Sequence, residues 1–104
     1  LGQHHQFHHY NPGKSEFGEK RYFNICERIY KELDERLSKS KYLALDEYTI
    51  ADIATFPWIA RHEWHDIGLK KFKNLSRWYF DISKREAVKK GYDLLKKGEL
   101  IPSV

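Results

Sequence analysis

Tyr48-Thr49-Ile50-Ala51-Asp52-Ile53-Ala54-Thr55-Phe56-Pro57-Trp58-Ile59 is the stretch whose reading decides the fold. Thr49 is placed to cap a helix, its hydroxyl accepting from the N–H of Asp52. Asp52 stands three residues on, where its carboxylate can reach back to the N–H of Thr49. The two together form a capping box, with Asp where Glu is commoner. Tyr48 before the cap and Ile53 after it suit a hydrophobic staple. The charge of Asp52 also complements the positive end of the helix dipole, worth about 0.3–1 kcal/mol. The run that follows is apolar nearly all round, which predicts a helix over 50–63 buried on most sides. Pro57 removes one backbone donor inside it and predicts a kink.

Working outward, the remaining chain reads as helix and turn. Asn11-Pro12-Gly13 is a turn signal. Ser15 caps a long helix over about 16–38, where Tyr22, Cys26, Ile29, Tyr30, Leu33 and Leu37 form one apolar stripe. Glu27/Lys31, Glu32/Arg36 and Glu35/Lys39 are favourable pairs on its wet side. Gly68 closes a later turn. A third helix covers 72–83 with Phe72, Leu75, Trp78, Tyr79 and Ile82 on its stripe, and a fourth covers about 84–97. Ile101-Pro102-Ser103-Val104 reads as a loose tail. Residues 1–10, aromatic and His-rich, look like the end of an element. There is no strand pattern and no repeat, so the expected fold class is all-α, a helical bundle.

The 104 residues suit one domain, 1–104, with a single core. Sixteen aromatic rings supply the bulk a small core needs. The net charge of +4 comes from Lys and Arg dispersed among acids rather than gathered in a patch. That pattern argues for a solvated surface and against nucleic acid as a partner. No apolar run approaches the ~18 residues a membrane span needs, so no membrane partner is expected. The single cysteine, Cys26, permits no intrachain disulfide, in keeping with a reducing, cytoplasmic setting.

Thr49-Ile50-Ala51-Asp52-Ile53-Ala54 followed by Pro57-Trp58 resembles the capping-box helix of the glutathione S-transferase C-terminal domain. Lys41 to Tyr48 resembles that family's lead-in to the helix. Leu1-Gly2-Gln3-His4-His5-Gln6-Phe7-His8-His9-Tyr10-Asn11-Pro12 and Glu19-Lys20-Arg21-Tyr22 are similar to its bacterial Nu class of disulfide-bond reductases. Trp78 and Arg85-Glu86-Ala87-Val88-Lys89-Lys90-Gly91 match the family's closing helices. The resemblance implies the helical bundle of that domain, with a thioredoxin-like N-terminal domain expected before Leu1 in a longer protein. It implies glutathione as co-substrate, conjugated to a small electrophile or used to reduce a disulfide, and a homodimeric whole protein. This domain would supply the wall of the electrophile pocket and part of the dimer surface, and would be inactive alone. The alternative is a non-enzymatic interaction module of the same fold.

The candidate site residues follow. Arg21 carries a guanidinium suited to bidentate donation to a carboxylate, and the resemblance assigns it to glutathione together with Gln3. His5 and Phe7 are implied in the substrate pocket, where polar and aromatic side chains stack and orient a small ligand. Thr49 and Asp52 are structural. No catalytic residue is expected, because the activating group would lie on the other domain. Cys26 falls on an apolar stripe and reads as a buried small hydrophobe. His4/His8 and His5/His9 have a spacing seen in zinc sites. No acid or thiol nearby completes a ligand set, so no metal is expected, and the histidines read as lining a cleft or domain interface. Trp58 and Trp78 read as core and Trp64 as partly exposed.

Overall fold

The computed structural model describes residues 1–93 and 100–103. Helix α1 (Gly2–His4) runs straight into a π-helical segment, His5–Tyr10. Then come α2 (Glu16–Leu37), α3 (Ile50–Ile59), α4 (His62–His65), α5 (Lys73–Ser83) and α6 (Glu86–Tyr92). Among the described residues there is no strand. The all-α expectation therefore holds, with the long helix matching its predicted bounds to within a residue.

The two longest helices, α2 and α5, terminate one another. Ser15 starts α2 by accepting from the N–H of Gly18 at 3.0 Å. Phe72, at the start of α5, offers no side-chain cap. Asp34 of α2 supplies it instead, its Oδ1 accepting from the N–H groups of Asn74 (2.8 Å) and Leu75 (2.9 Å). In return Arg77 of α5 donates to the carbonyl oxygens of Leu37 (3.1 Å), Ser40 (3.4 Å) and Lys41 (3.3 Å) just past α2. Orphan donors at one helix start and orphan acceptors at another helix end are thus satisfied across a single packed pair. Glu27 pairs with Lys71 at 3.4 Å across the fold, a contact outside the intrahelical pattern read from spacing.

The capping box of α3 is present. Thr49 Oγ1 accepts from Ala51 N–H at 3.3 Å, and Asp52 Oδ2 accepts from Thr49 N–H at 3.0 Å. The other carboxylate oxygen does more than spacing showed. Asp52 Oδ1 accepts from Leu43 N–H at 3.1 Å and from the indole N–H of Trp78 at 2.7 Å. One buried carboxylate therefore joins the start of α3, the preceding loop and the middle of α5.

The core gathers Cys26, Tyr30 and Leu37 from α2, Phe56 and Ile59 from α3, and Leu75, Trp78, Tyr79 and Ile82 from α5, closed by Leu69 and Phe72. Three expectations are corrected here. First, α3 is not buried on most sides. Its inner stripe is Asp52, Phe56 and Ile59, whereas Ile50 is 78%, Ile53 54% and Trp58 47% exposed. Helix α5 takes its inner face; on the outer side Trp58 lies 5.8 Å from the His5 ring and Ile53 lines an open groove toward α6. Trp58 accordingly leaves the core, while Trp78 is fully buried.

Second, α3 stops at Ile59, two residues after Pro57. The chain turns at Ala60–Arg61 and restarts as the short α4, which ends at Asp66 in the left-handed region with φ 58°. Third, the tail is anchored: Tyr79 Oη donates to the carbonyl of Pro102, and Ile101 packs on the core. The fourth predicted helix is observed over Glu86–Tyr92; its predicted residues 94–97, like Val104, lie outside the described residues.

Asp52→Ala removes a capping group and strips charged hydrogen bonds from two further donors, one of them a buried indole. We expect a loss of about 3 kcal/mol or more in urea unfolding. An unchanged urea midpoint would show that the carboxylate does not hold these elements.

Candidate functional site

All six histidines of the chain lie in two runs, 4–9 and 62–65, and the fold brings the runs together. The α1/π-helical segment lies across α2 and α4. His4 Nε2 donates to the carbonyl of His65 at 2.7 Å. His5 Nε2 lies 2.6 Å from His65 Nε2, with the rings stacked at 4.5 Å. On the far side of His65, Nδ1 bonds the hydroxyl of Tyr30 on α2. His4 also stacks on His8 at 4.9 Å, and His8 Nε2 reaches Asp66 Oδ2 at 3.5 Å. His9 lies flat on Trp64 at 4.0 Å, and the Arg61 guanidinium covers the same indole at 4.5 Å. His62 turns away, edge-on to Tyr79.

The protons of this cluster follow from the requirement that buried polar hydrogens find acceptors. Tyr30 is fully buried, and its hydroxyl hydrogen has one acceptor in its hydrogen-bond set, His65 Nδ1. With Nδ1 accepting, a neutral His65 carries its proton on Nε2 and donates it to His5 Nε2. His5 then holds its own proton on Nδ1. In the opposite assignment Tyr30 would accept, and its hydrogen would be stranded in the core. His4 spends its Nε2 proton on His65 O, and among the described residues its buried Nδ1 has no hydrogen-bond partner.

His65, His4 and His5 each favour the neutral form. Burial, followed by the neighbouring His5 and His4 charges, pushes His65 down to about 3. Burial also lowers His4, against the raising effect of its bond to the His65 carbonyl, and lowers His5, with help from His4. Burial raises the Tyr30 phenol, which stays protonated.

The residues nominated from sequence fall into two groups. Phe7 stacks on Tyr22 of α2 at 5.5 Å, nearly parallel, and the Arg21 guanidinium sits 5.9 Å over the other partner of that stack, the Tyr22 ring. Gly18 makes the stack possible, since a Cβ there would meet Phe7 Cδ1 at 2.9 Å. Arg21 is exposed and, among the described residues, no carboxylate pairs with it. Gln3 is exposed on α1. His5, by contrast, is buried with its Nε2 committed to His65. Thr49 and Asp52 are at the helix start already described. Cys26 is buried, and burial pushes its thiol up to about 12, so it is no thiolate at neutral pH.

Sequence reasoning missed His65 and Tyr30. Tyr30 sits on a helical stripe like any core ring, and nothing local in the sequence marks His65. The available signal was that every histidine falls in one of two short runs. Among the described residues, no three His, Cys, Asp or Glu side chains are grouped as a metal would require. An apolar groove of about 520 Å³ lies between α3 and α6, lined by Tyr48, Ile53, Pro57, Arg61, Val88 and Tyr92 among others. None of the nominated residues lines it. No described helix is long and apolar enough to cross a membrane.

Residues 13–86 match the family model described as glutathione S-transferase, C-terminal domain. The chain is 36% identical over 94 residues to the disulfide-bond oxidoreductase YghU of Escherichia coli, covering 82% of the chain and 32% of that protein. It is 35% identical over 96 residues to the disulfide-bond oxidoreductase YfcG of the same organism, covering 92% and 44%. A glutathione S-transferase domain-containing protein of Dictyostelium discoideum, DDB_G0280881, is 33% identical over 92 residues, covering 86% and 35%. The chain therefore spans less than half the length of these relatives.

The neutral histidine cluster sets a pH dependence with a definite sign. His65, His4 and His5 have folded values below the ordinary 6.5, so below 6.5 the unfolded chain binds more protons than the folded one. Stability should fall as pH drops through 6.5 and keep falling toward the His65 value near 3. The slope is about 1.4 kcal/mol per pH unit for each imidazole kept neutral. Urea unfolding at pH 7.5, 6.5 and 5.5 measures it, and stability that is flat over this range would contradict the assignment.

Proposed function

Because the chain belongs to the glutathione S-transferase C-terminal domain family, we infer that it is the helical half of a glutathione-dependent protein. The reaction is conjugation to a small electrophile or reduction of a disulfide. Reduction is favoured by the two Escherichia coli relatives, both disulfide-bond oxidoreductases. The observation that carries the reading is the Phe7–Tyr22–Arg21 stack. An exposed guanidinium that pairs with no carboxylate among the described residues stands beside two parallel aromatic rings, on the helix that carries the Gln3 segment. Glutathione has two carboxylates, and a guanidinium binds a carboxylate with two parallel bonds. Gln3 adds an amide that can both donate and accept.

In this reading the remainder of the protein is a thioredoxin-like domain that holds the glutathione thiol and lowers its pKa, supplying the thiolate that attacks the electrophile or disulfide sulfur. The present domain orients the peptide end of glutathione and walls the pocket with Phe7. His5 acts in that wall through its bond to His65 rather than by a free ring nitrogen. The largely exposed face of α3, with Ile50, Ile53 and Trp58, is the surface on which that remainder docks. Three large apolar side chains exposed together on one helix suit a buried contact rather than a solvated face. The whole protein is read as a cytoplasmic homodimer.

Calorimetry with glutathione tests the reading. The whole protein should bind, and Arg21→Ala should weaken binding about tenfold, or about 1.4 kcal/mol. The 104-residue chain alone should bind far more weakly. No binding by the whole protein would overturn the enzyme reading and favour an interaction module. Undiminished binding by the Arg21→Ala protein would remove Arg21 from the site.

A further inference from the structure

We propose that His65 is a positioning residue: the chain Tyr30–His65–His5 docks the 2–10 segment, and with it Gln3 and Phe7, only while the imidazoles are uncharged. The tethering rests on the cluster geometry alone. The consequence for ligand binding rests on the glutathione reading above.

One added proton cannot be accommodated. If His5 gains it, two N–H groups face each other across 2.6 Å between His5 Nε2 and His65 Nε2. If His65 shifts its proton to Nδ1 to relieve this, that N–H points at the Tyr30 hydroxyl, whose hydrogen then has no acceptor in a fully buried site. If His4 gains it, the new N–H is on Nδ1, which is buried without a partner. A buried donor left unpaired costs about 1–3 kcal/mol, more when charged. The segment holds to α4 through these same contacts, so releasing it is the way to hydrate the charge.

The surrounding groups reinforce this direction. On the segment itself, His8 and His9 and the Leu1 amino group add positive charge or the capacity for it. From α2 come Tyr30 and the Phe23 ring, which meets His4 edge-on at 5.4 Å. The α4 region contributes Arg61 and His62, and one carboxylate, Asp66, lies against His8. The side chain of Asp66 is 76% exposed, too well hydrated to neutralise a buried imidazolium. A π-helical turn, rare in proteins, carries His5 and Phe7, while His4 ends the α-helix before it.

The test uses the chain labelled with ¹⁵N and followed by NMR. Long-range imidazole spectra at pH 7.5 should show His65 neutral with its proton on Nε2 and His5 with its proton on Nδ1. The reverse pair of tautomers would overturn the proposal. Amide exchange, corrected for intrinsic rates, should accelerate in residues 2–10 by about tenfold per pH unit below the onset of protonation, with α5 amides unaffected. In His65→Gln, whose amide can turn its oxygen to accept from a protonated His5, this acceleration should weaken, leaving His4 to drive what remains. Tyr30→Phe, which loses only a hydroxyl, should shift the release to higher pH. Release that persists unchanged in His65→Gln, or exchange in 2–10 that merely tracks α5, would overturn the tether. Glutathione affinity of the whole protein at pH 7.5 and 5.5 separates the two ideas. Affinity that ignores pH while the segment is released overturns the ligand reading and the positioning role, whereas absence of release overturns the tether itself.

Discussion

The Asp52 carboxylate is the interaction on which the rest of the structure depends. Fully buried, it accepts from the backbone N–H of Thr49, the backbone N–H of Leu43 and the indole N–H of Trp78. A buried carboxylate is tolerated only when its oxygens are satisfied, because desolvation otherwise dominates. Here three donors from three parts of the chain meet that demand. The start of α3, the loop before it and the centre of α5 are located relative to one point. Asp34 and Arg77 then lock α2 to α5 by exchanging helix caps. The body of the fold is thus set by polar groups at helix ends, and the aromatic core fills the space between them.

Against that body the first ten residues are held by different chemistry. Beside the ring stacks of Phe7 and His9, their hydrogen bonds to α2 and α4 run through imidazole nitrogens and are consistent with neutral rings. A carboxylate anchor strengthens with charge, while an imidazole anchor of this kind fails with it. The molecule therefore combines a helical body fastened by an anion with a segment fastened by uncharged rings. Arg21 and Phe7 lie at the junction of the two, joined through Tyr22. A ligand placed there would touch both the rigid helix α2 and the titratable segment.

Much of the fold was legible because its signals are local. A capping box needs only residues three apart, and a stripe of apolar residues at helical spacing declares which face is inward. The bounds of α2 and α5 follow from those two rules. The errors have one origin as well. Apolarity all round α3 was read as burial on all sides, but a helix buries only what a neighbour covers. Helix α5 packs closely on one face, leaving Ile50, Ile53 and Trp58 largely exposed. Likewise the tail was read as loose from its composition, whereas a single hydroxyl, that of Tyr79, holds Pro102.

By itself the sequence determined the helical class, the starts of α2 and α3, the structural role of Asp52, the inert character of Cys26 and the family resemblance carried by residues 49–58. Each rests on periodicity, capping or a short motif, which are properties of neighbouring residues. Only the tertiary structure decided that His4, His5 and His65 form one cluster closed by Tyr30, that Asp34 caps a helix forty residues away, and that Asp52 also holds Trp78. Those contacts join residues 26 to 61 positions apart. No local spacing encodes them, because which imidazole meets which is settled by how the helices pack.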